Sequence, residues 1–152
     1  MDNDKLISHL NDLIETCRDG QQGFKEAAEN AKSPELKEFF NRVGLERSQF
    51  VGDLQQQIHL LGGDPENTGS TAGALHRAWI DIKGTLTGRD DESILNEVER
   101  GEDSAVKTYQ ETLKKDVPAN VRSIVESQFR RIKEVHDRVK QMRDAKSASS
   151  GR

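Results

Sequence analysis

Residues Ser93 to Leu113 read SILNEVERGEDSAVKTYQETL, and their apolar side chains return at the period of an α-helix. At about 100° per residue, Ile94, Val98, Gly101, Ala105, Tyr109 and Leu113 share one broad face. Glu102 falls in the same sector. A carboxylate is rarely buried alone, because removing its charge from water is costly unless a cation, a metal ion or hydrogen-bond donors meet it. What the other helices offer Glu102 is therefore the central question for this chain.

On either side the same period recurs. A first helix is predicted from roughly Asp4 to Ala31, with Leu6, Leu10, Leu13, Cys17, Phe24 and Ala27 on one side and Gly20 and Gly23 marking close packing. Ser33 as N-cap and Pro34 at the first helical position open a second helix that runs to about Leu61. Its inward face carries Leu36, Phe40, Val43, Leu54 and Ile58, with Arg47 near the centre and Glu46 on its flank. A fourth principal helix is predicted from about Ala119 to Asp144, after Pro118 has ended the stretch quoted above. The tail from 146 to 152 loses apolar periodicity and is expected to be flexible. No strand pattern competes.

The segment GGDPENTGST, residues 62–71, ends the second helix, and Ala72, Leu75, Trp79, Ile82 and Leu86 then predict a shorter helix from about Thr71 to Leu86. At 1.5 Å per residue such a helix spans about 24 Å. It would carry the chain back along the bundle, so that the second and third principal helices run parallel. A long crossover at that point is the ferritin-like connection. The predicted fold is all-α, a ferritin-like four-helix bundle over residues 1–145 with an additional crossover helix between the second and third principal helices.

Composition narrows the function. A chain of 152 residues with 32% hydrophobic and 33% charged residues fits one soluble, amphipathic domain. Its formal charge of −4, with both signs interspersed, leaves no basic stripe for a nucleic-acid backbone. No apolar run approaches the roughly 18 residues of a membrane span, and the first residues show no signal-peptide pattern, so a cytoplasmic location is expected. The lone Cys17 excludes an intrachain disulfide.

Polar residues at comparable heights define the candidate site: Gln21, Glu46 with Arg47, Glu102, and Gln128 with Arg131. Arginine can place a fork of donors around a carboxylate, which makes Arg47 a natural partner for Glu102. The alternative is a metal site. A dinuclear carboxylate centre in this fold takes glutamates from two helices and a Glu-x-x-His motif from each of two others. Here Glu46 is followed three residues later by Gln49, and His136 is preceded three residues earlier by Lys133. The weak metal candidates are Glu46, Glu102 and His136, for iron, manganese or zinc, and the leading expectation is no cofactor. Cys17 reads as a core thiol, and His9, His59 and His76 as packing, capping or solvated groups.

The stretches LNDLIETCRDGQQGF (residues 10–24), GALHRAW (73–79) and EVERGEDSAVKTYQETL (97–113) resemble a bacterial family of small ferritin-like four-helix-bundle proteins described as a domain of unknown function. The resemblance implies the fold, a possible oligomer and a link to stress adaptation. The function expected is that of a non-enzymatic structural or interaction protein, with a second copy of the chain as partner and a dimer favoured. The alternative is a metal-binding bundle with a remodelled carboxylate site. No small-molecule ligand is identified.

Overall fold

The computed structural model describes residues 1–64 and 89–149, in which the amphipathic stretches form four α-helices. These are α1 (Asn3–Asn30), α2 (Pro34–Leu60), α3 (Asp91–Leu113) and α4 (Ala119–Ser149). Short polar side chains start three of them by satisfying backbone N–H groups that have no helical partner. The Asp2 carboxylate accepts from Lys5 N–H at 2.9 Å, Ser33 Oγ from Leu36 N–H at 3.4 Å, and the Asp90 carboxylate from Ser93 N–H at 2.8 Å. Gly62, with φ +80°, takes the left-handed conformation that closes α2, where a side chain would be strained. At the end of α3, Arg122 donates to the carbonyls of Leu113 (2.9 Å) and Lys115 (2.7 Å).

The helix ends fix the topology. The N–H groups of Lys32 and Ser33, between α1 and α2, donate to the Asp91 carboxylate at 2.7 and 3.0 Å, so α3 begins beside that turn. At the opposite end, Gly63 lies against Ile7, and the N-terminal amine is 4.0 Å from Asp116. α3 is therefore antiparallel to α1 and parallel to α2. α4 runs antiparallel to α2, since Glu46 meets Arg131 while Phe50 meets Gln128. Each helix packs against two others, and α2 and α3 face each other across the diagonal of the bundle.

Two predicted features need correction. The additional crossover helix, expected from about Thr71 to Leu86, lies outside the described residues. Among those residues there are four helices and no fifth between α2 and α3, so the architecture is an all-α four-helix bundle. Periodicity marks an amphipathic segment and does not by itself establish an element. The last helix also continues past Asp144 to Ser149. There Lys146 lies 3.9 Å from Asp91, and Ser147 Oγ donates to Glu92 at 2.5 Å, polar contacts that apolar periodicity does not register.

The core falls into two apolar clusters. Phe24, Phe40, Val43, Ile94, Val98 and Val139 belong to the one near the α1–α2 turn; Leu6, Leu10, Leu54, Ile58, Val125 and Ile132 belong to the other. Each such side chain contributes roughly 1.5–3 kcal/mol on burial. Between the clusters lies a polar layer. No helix among the described residues is long and apolar enough to cross a membrane.

Candidate functional site

The polar layer is built around Arg47 and Glu102, 1% and 0% exposed, which reach each other across the diagonal. Arg47 Nη1 donates to Glu102 Oε1 at 2.7 Å and Nη2 to Oε2 at 2.6 Å. Both oxygens of the carboxylate are thereby engaged by one planar fork. The α1 helix makes room: a Cβ on Gly20 would stand 3.0 Å from Arg47 Nη1. Phe24 adds its ring face, with the guanidinium carbon 5.3 Å from its centroid. Burial pulls the Arg47 pKa down, but the charge and hydrogen bonds of Glu102 outweigh it, leaving the guanidinium more basic than usual.

Beside this pair runs a neutral chain. Tyr109 O–H donates to Gln128 Oε1 at 2.7 Å, and Gln128 Nε2 donates to the Phe50 carbonyl at 3.3 Å. Tyr109 has one proton to give, so the Cys17 thiol, 3.1 Å away, donates to the phenol oxygen. Burial pushes the Cys17 pKa up to about 11, against the opposing charge of Arg47. It likewise raises Tyr109 well above the ordinary phenol value. Neither group is an activated nucleophile.

The residues expected at one height do not form a single cluster. Arg47, Glu102 and Gln128 are buried in the layer. Glu46 and Arg131 pair nearer the surface, with Arg131 Nε donating to both carboxylate oxygens at 2.8 and 2.9 Å. Gln21 is exposed, and its side chain makes no hydrogen bond among the described residues. The three weak metal candidates also part company: Glu102 is held by Arg47, Glu46 by Arg131, and His136 faces other carboxylates on the α3–α4 seam.

There His136 of α4 meets Glu99 and Asp103, one turn apart on α3. One donor atom from each of the three lies within 4.8 Å of the others. His136 Nε2 is 2.5 Å from Asp103 Oδ1, and Nδ1 is 3.0 Å from Asp137 Oδ1, which also accepts from Lys133 at 2.9 Å. Glu99 forms an ion pair with Arg143. The His136 side chain is 14% exposed and that of Asp103 63%, so the cluster is half-buried with one open side. Partial burial lowers the His136 pKa, but hydrogen bonds to Asp137 and Asp103 outweigh it and the net shift is upward.

This trio was missed because the expected motif placed a histidine three residues after a glutamate on the same helix. The legible signal was the acidic pair Glu99 and Asp103 at i, i+4, which shares a helix face. His136 joins it only through the packing of α4. Chemically, two carboxylates and an imidazole form a mixed oxygen and nitrogen donor set, suited to zinc, manganese or iron.

The comparison with curated proteins gives no match. A family model matches residues 5–115, a span that takes in α1 from its third residue and all of α2 and α3, with both Glu99 and Asp103, and ends before His136. The chain belongs to this family, described as a domain of unknown function (DUF2383).

Proposed function

We propose that this protein binds a divalent transition-metal ion at Glu99, Asp103 and His136, on the seam of α3 and α4 rather than in the bundle centre. The observation that carries the reading is the approach of these three donors, from two helices, to within 4.8 Å of one another. Asp137 supports it. A metal-bound histidine ordinarily gives its other ring N–H to a carboxylate, which fixes the tautomer and the ring orientation. With Nδ1 held by Asp137, Nε2 points toward Asp103 and is the nitrogen available to an ion.

Binding would displace the ion pair between Arg143 and Glu99 and any proton on His136. Three protein donors leave further coordination positions to water or an incoming ligand. The activity proposed is binding, not catalysis. Zinc, manganese and iron(II) are each to be titrated into chelator-treated protein, with bound metal counted by elemental analysis. One equivalent is expected, lost in His136→Ala and in Glu99→Gln/Asp103→Asn and retained in Glu46→Gln. No stoichiometric uptake, or uptake indifferent to His136, would sink the proposal.

A structural or interaction role is a second reading, favoured by the polar layer, where Glu102 gives both oxygens to Arg47 and Tyr109 is engaged by Cys17 and Gln128. On that reading metal-free protein keeps its fold and its association state. Circular dichroism and light scattering after chelation measure both.

A further inference from the structure

The seam between α2 and α4 differs from the other three. These helices meet at Glu46–Arg131 and Phe50–Gln128, but toward the α1–α2 turn a groove of about 750 Å³ opens between them. That volume lies within the roughly 300–1,000 Å³ of small-molecule sites. Its apolar lining comes from Leu36, Phe39 and Met142, and its cations include Arg42, Arg138 and Lys146.

The charges around it are unevenly committed. Arg131 is occupied by Glu46 and Glu134. Glu35 is the remaining acid of the lining. Arg42 holds only an exposed pair with Glu38 at 3.4 Å, a kind of contact worth little in water. Lys146 lies 3.9 Å from Asp91. The Arg138 side chain makes no ion pair or hydrogen bond among the described residues. An apolar groove with a weakly paired guanidinium on one helix, Arg42, and an unpaired one on the other, Arg138, is complementary to a molecule with an anionic head and an apolar body.

We propose that the α2–α4 groove binds one free long-chain carboxylate, its hydrocarbon lying along Leu36, Phe39 and Met142 and its head group taken by Arg138 and Arg42. Guanidinium is suited to this head because its planar fork matches both carboxylate oxygens. The hydrocarbon contributes through burial of apolar surface, so affinity rises with chain length. The site is independent of Glu99, Asp103 and His136, which lie on the α3–α4 seam.

Dodecanoate, kept below its micelle concentration, is the probe, titrated into the full chain by calorimetry with backbone amide shifts recorded in parallel. Saturable binding of one equivalent is expected, with shifts confined to the lining of the groove. Butyrate, which has the head without the chain, and dodecyltrimethylammonium, which reverses the charge, should each bind at least tenfold more weakly. Arg42→Glu/Arg138→Glu should weaken dodecanoate by at least tenfold while leaving the circular dichroism spectrum and metal uptake unchanged, and His136→Ala should leave dodecanoate binding unchanged. Absence of saturable binding, equal affinity for the cationic amphiphile, or shifts centred on exposed Leu45 and Leu60 would each overturn the proposal.

Discussion

Arg47 and Glu102 are two opposite charges held out of water at the centre of the bundle, each satisfied chiefly by the other. Their desolvation offsets much of their attraction, so the pair adds little net stability while making either partner costly to remove alone. Glu102→Gln or Arg47→Met is therefore expected to lower unfolding stability by about 3–5 kcal/mol. The combined Arg47→Met/Glu102→Gln variant should recover much of that loss, since no charge is then left buried without its partner. Urea denaturation of the three variants measures the difference; additive losses in the double variant would contradict the account.

A few ångströms away, Cys17 illustrates how burial suppresses reactivity. A thiol whose pKa is pushed up to about 11 is almost entirely protonated at pH 8, and here it also lies within the core. Native protein at pH 8 should leave a disulfide reagent nearly unconsumed, and labelling should appear in urea at the rate of unfolding. Prompt labelling of the native chain would show that the polar layer is open to solvent.

At the scale of the helices, one side chain ties three ends together. Asp91 accepts the N–H groups of Lys32 and Ser33 and lies 3.9 Å from Lys146, so the start of α3 is joined to the α1–α2 turn and to the last turns of α4. Asp91→Ala leaves two backbone donors without their carboxylate and should cost about 1–3 kcal/mol. Asp90→Ala, which removes the cap on Ser93 N–H, should cost about 1 kcal/mol. Hydrogen exchange provides the check: the Asp91 variant should speed exchange in the α1–α2 turn, whereas the Asp90 variant should speed it in the first turn of α3. The Ser33 cap was legible because a cap and its helix are neighbours in sequence. The Asp91 tie was not, because its partners lie 58 and 59 residues away.

For the whole molecule, a metal ion held as proposed on the α3–α4 seam would couple binding to stability, since the packing of the two helices brings the donors together. Zinc at about a hundredfold excess over its dissociation constant should stabilise the fold by about 2.7 kcal/mol. The urea midpoint of the native chain should rise accordingly, and that of His136→Ala should not. His136 also makes the metal-free bundle sensitive to pH. Its folded pKa is raised above the usual 6.5, so its contribution is fully present below that value and is lost as pH rises through the higher folded pKa. A stability profile from pH 5.5 to 8.5 should fall more steeply for the native chain than for His136→Gln.

The sequence by itself determined the all-α class, the four principal helices, the Ser33 cap and the inward positions of Arg47, Glu102 and Gln128. Each follows from a period or a spacing within one helix, where 3.6 residues per turn leaves little freedom. Tertiary structure decided the rest: that Gln21 faces solvent, that Glu46 is taken by Arg131 and Glu102 by Arg47, and that His136 stands over Glu99 and Asp103. Those outcomes depend on how far each helix is rotated about its axis and slid along its neighbour. Rotation and register are set by side chains interlocking across the seams, a property of pairs of helices that no single stretch of sequence contains.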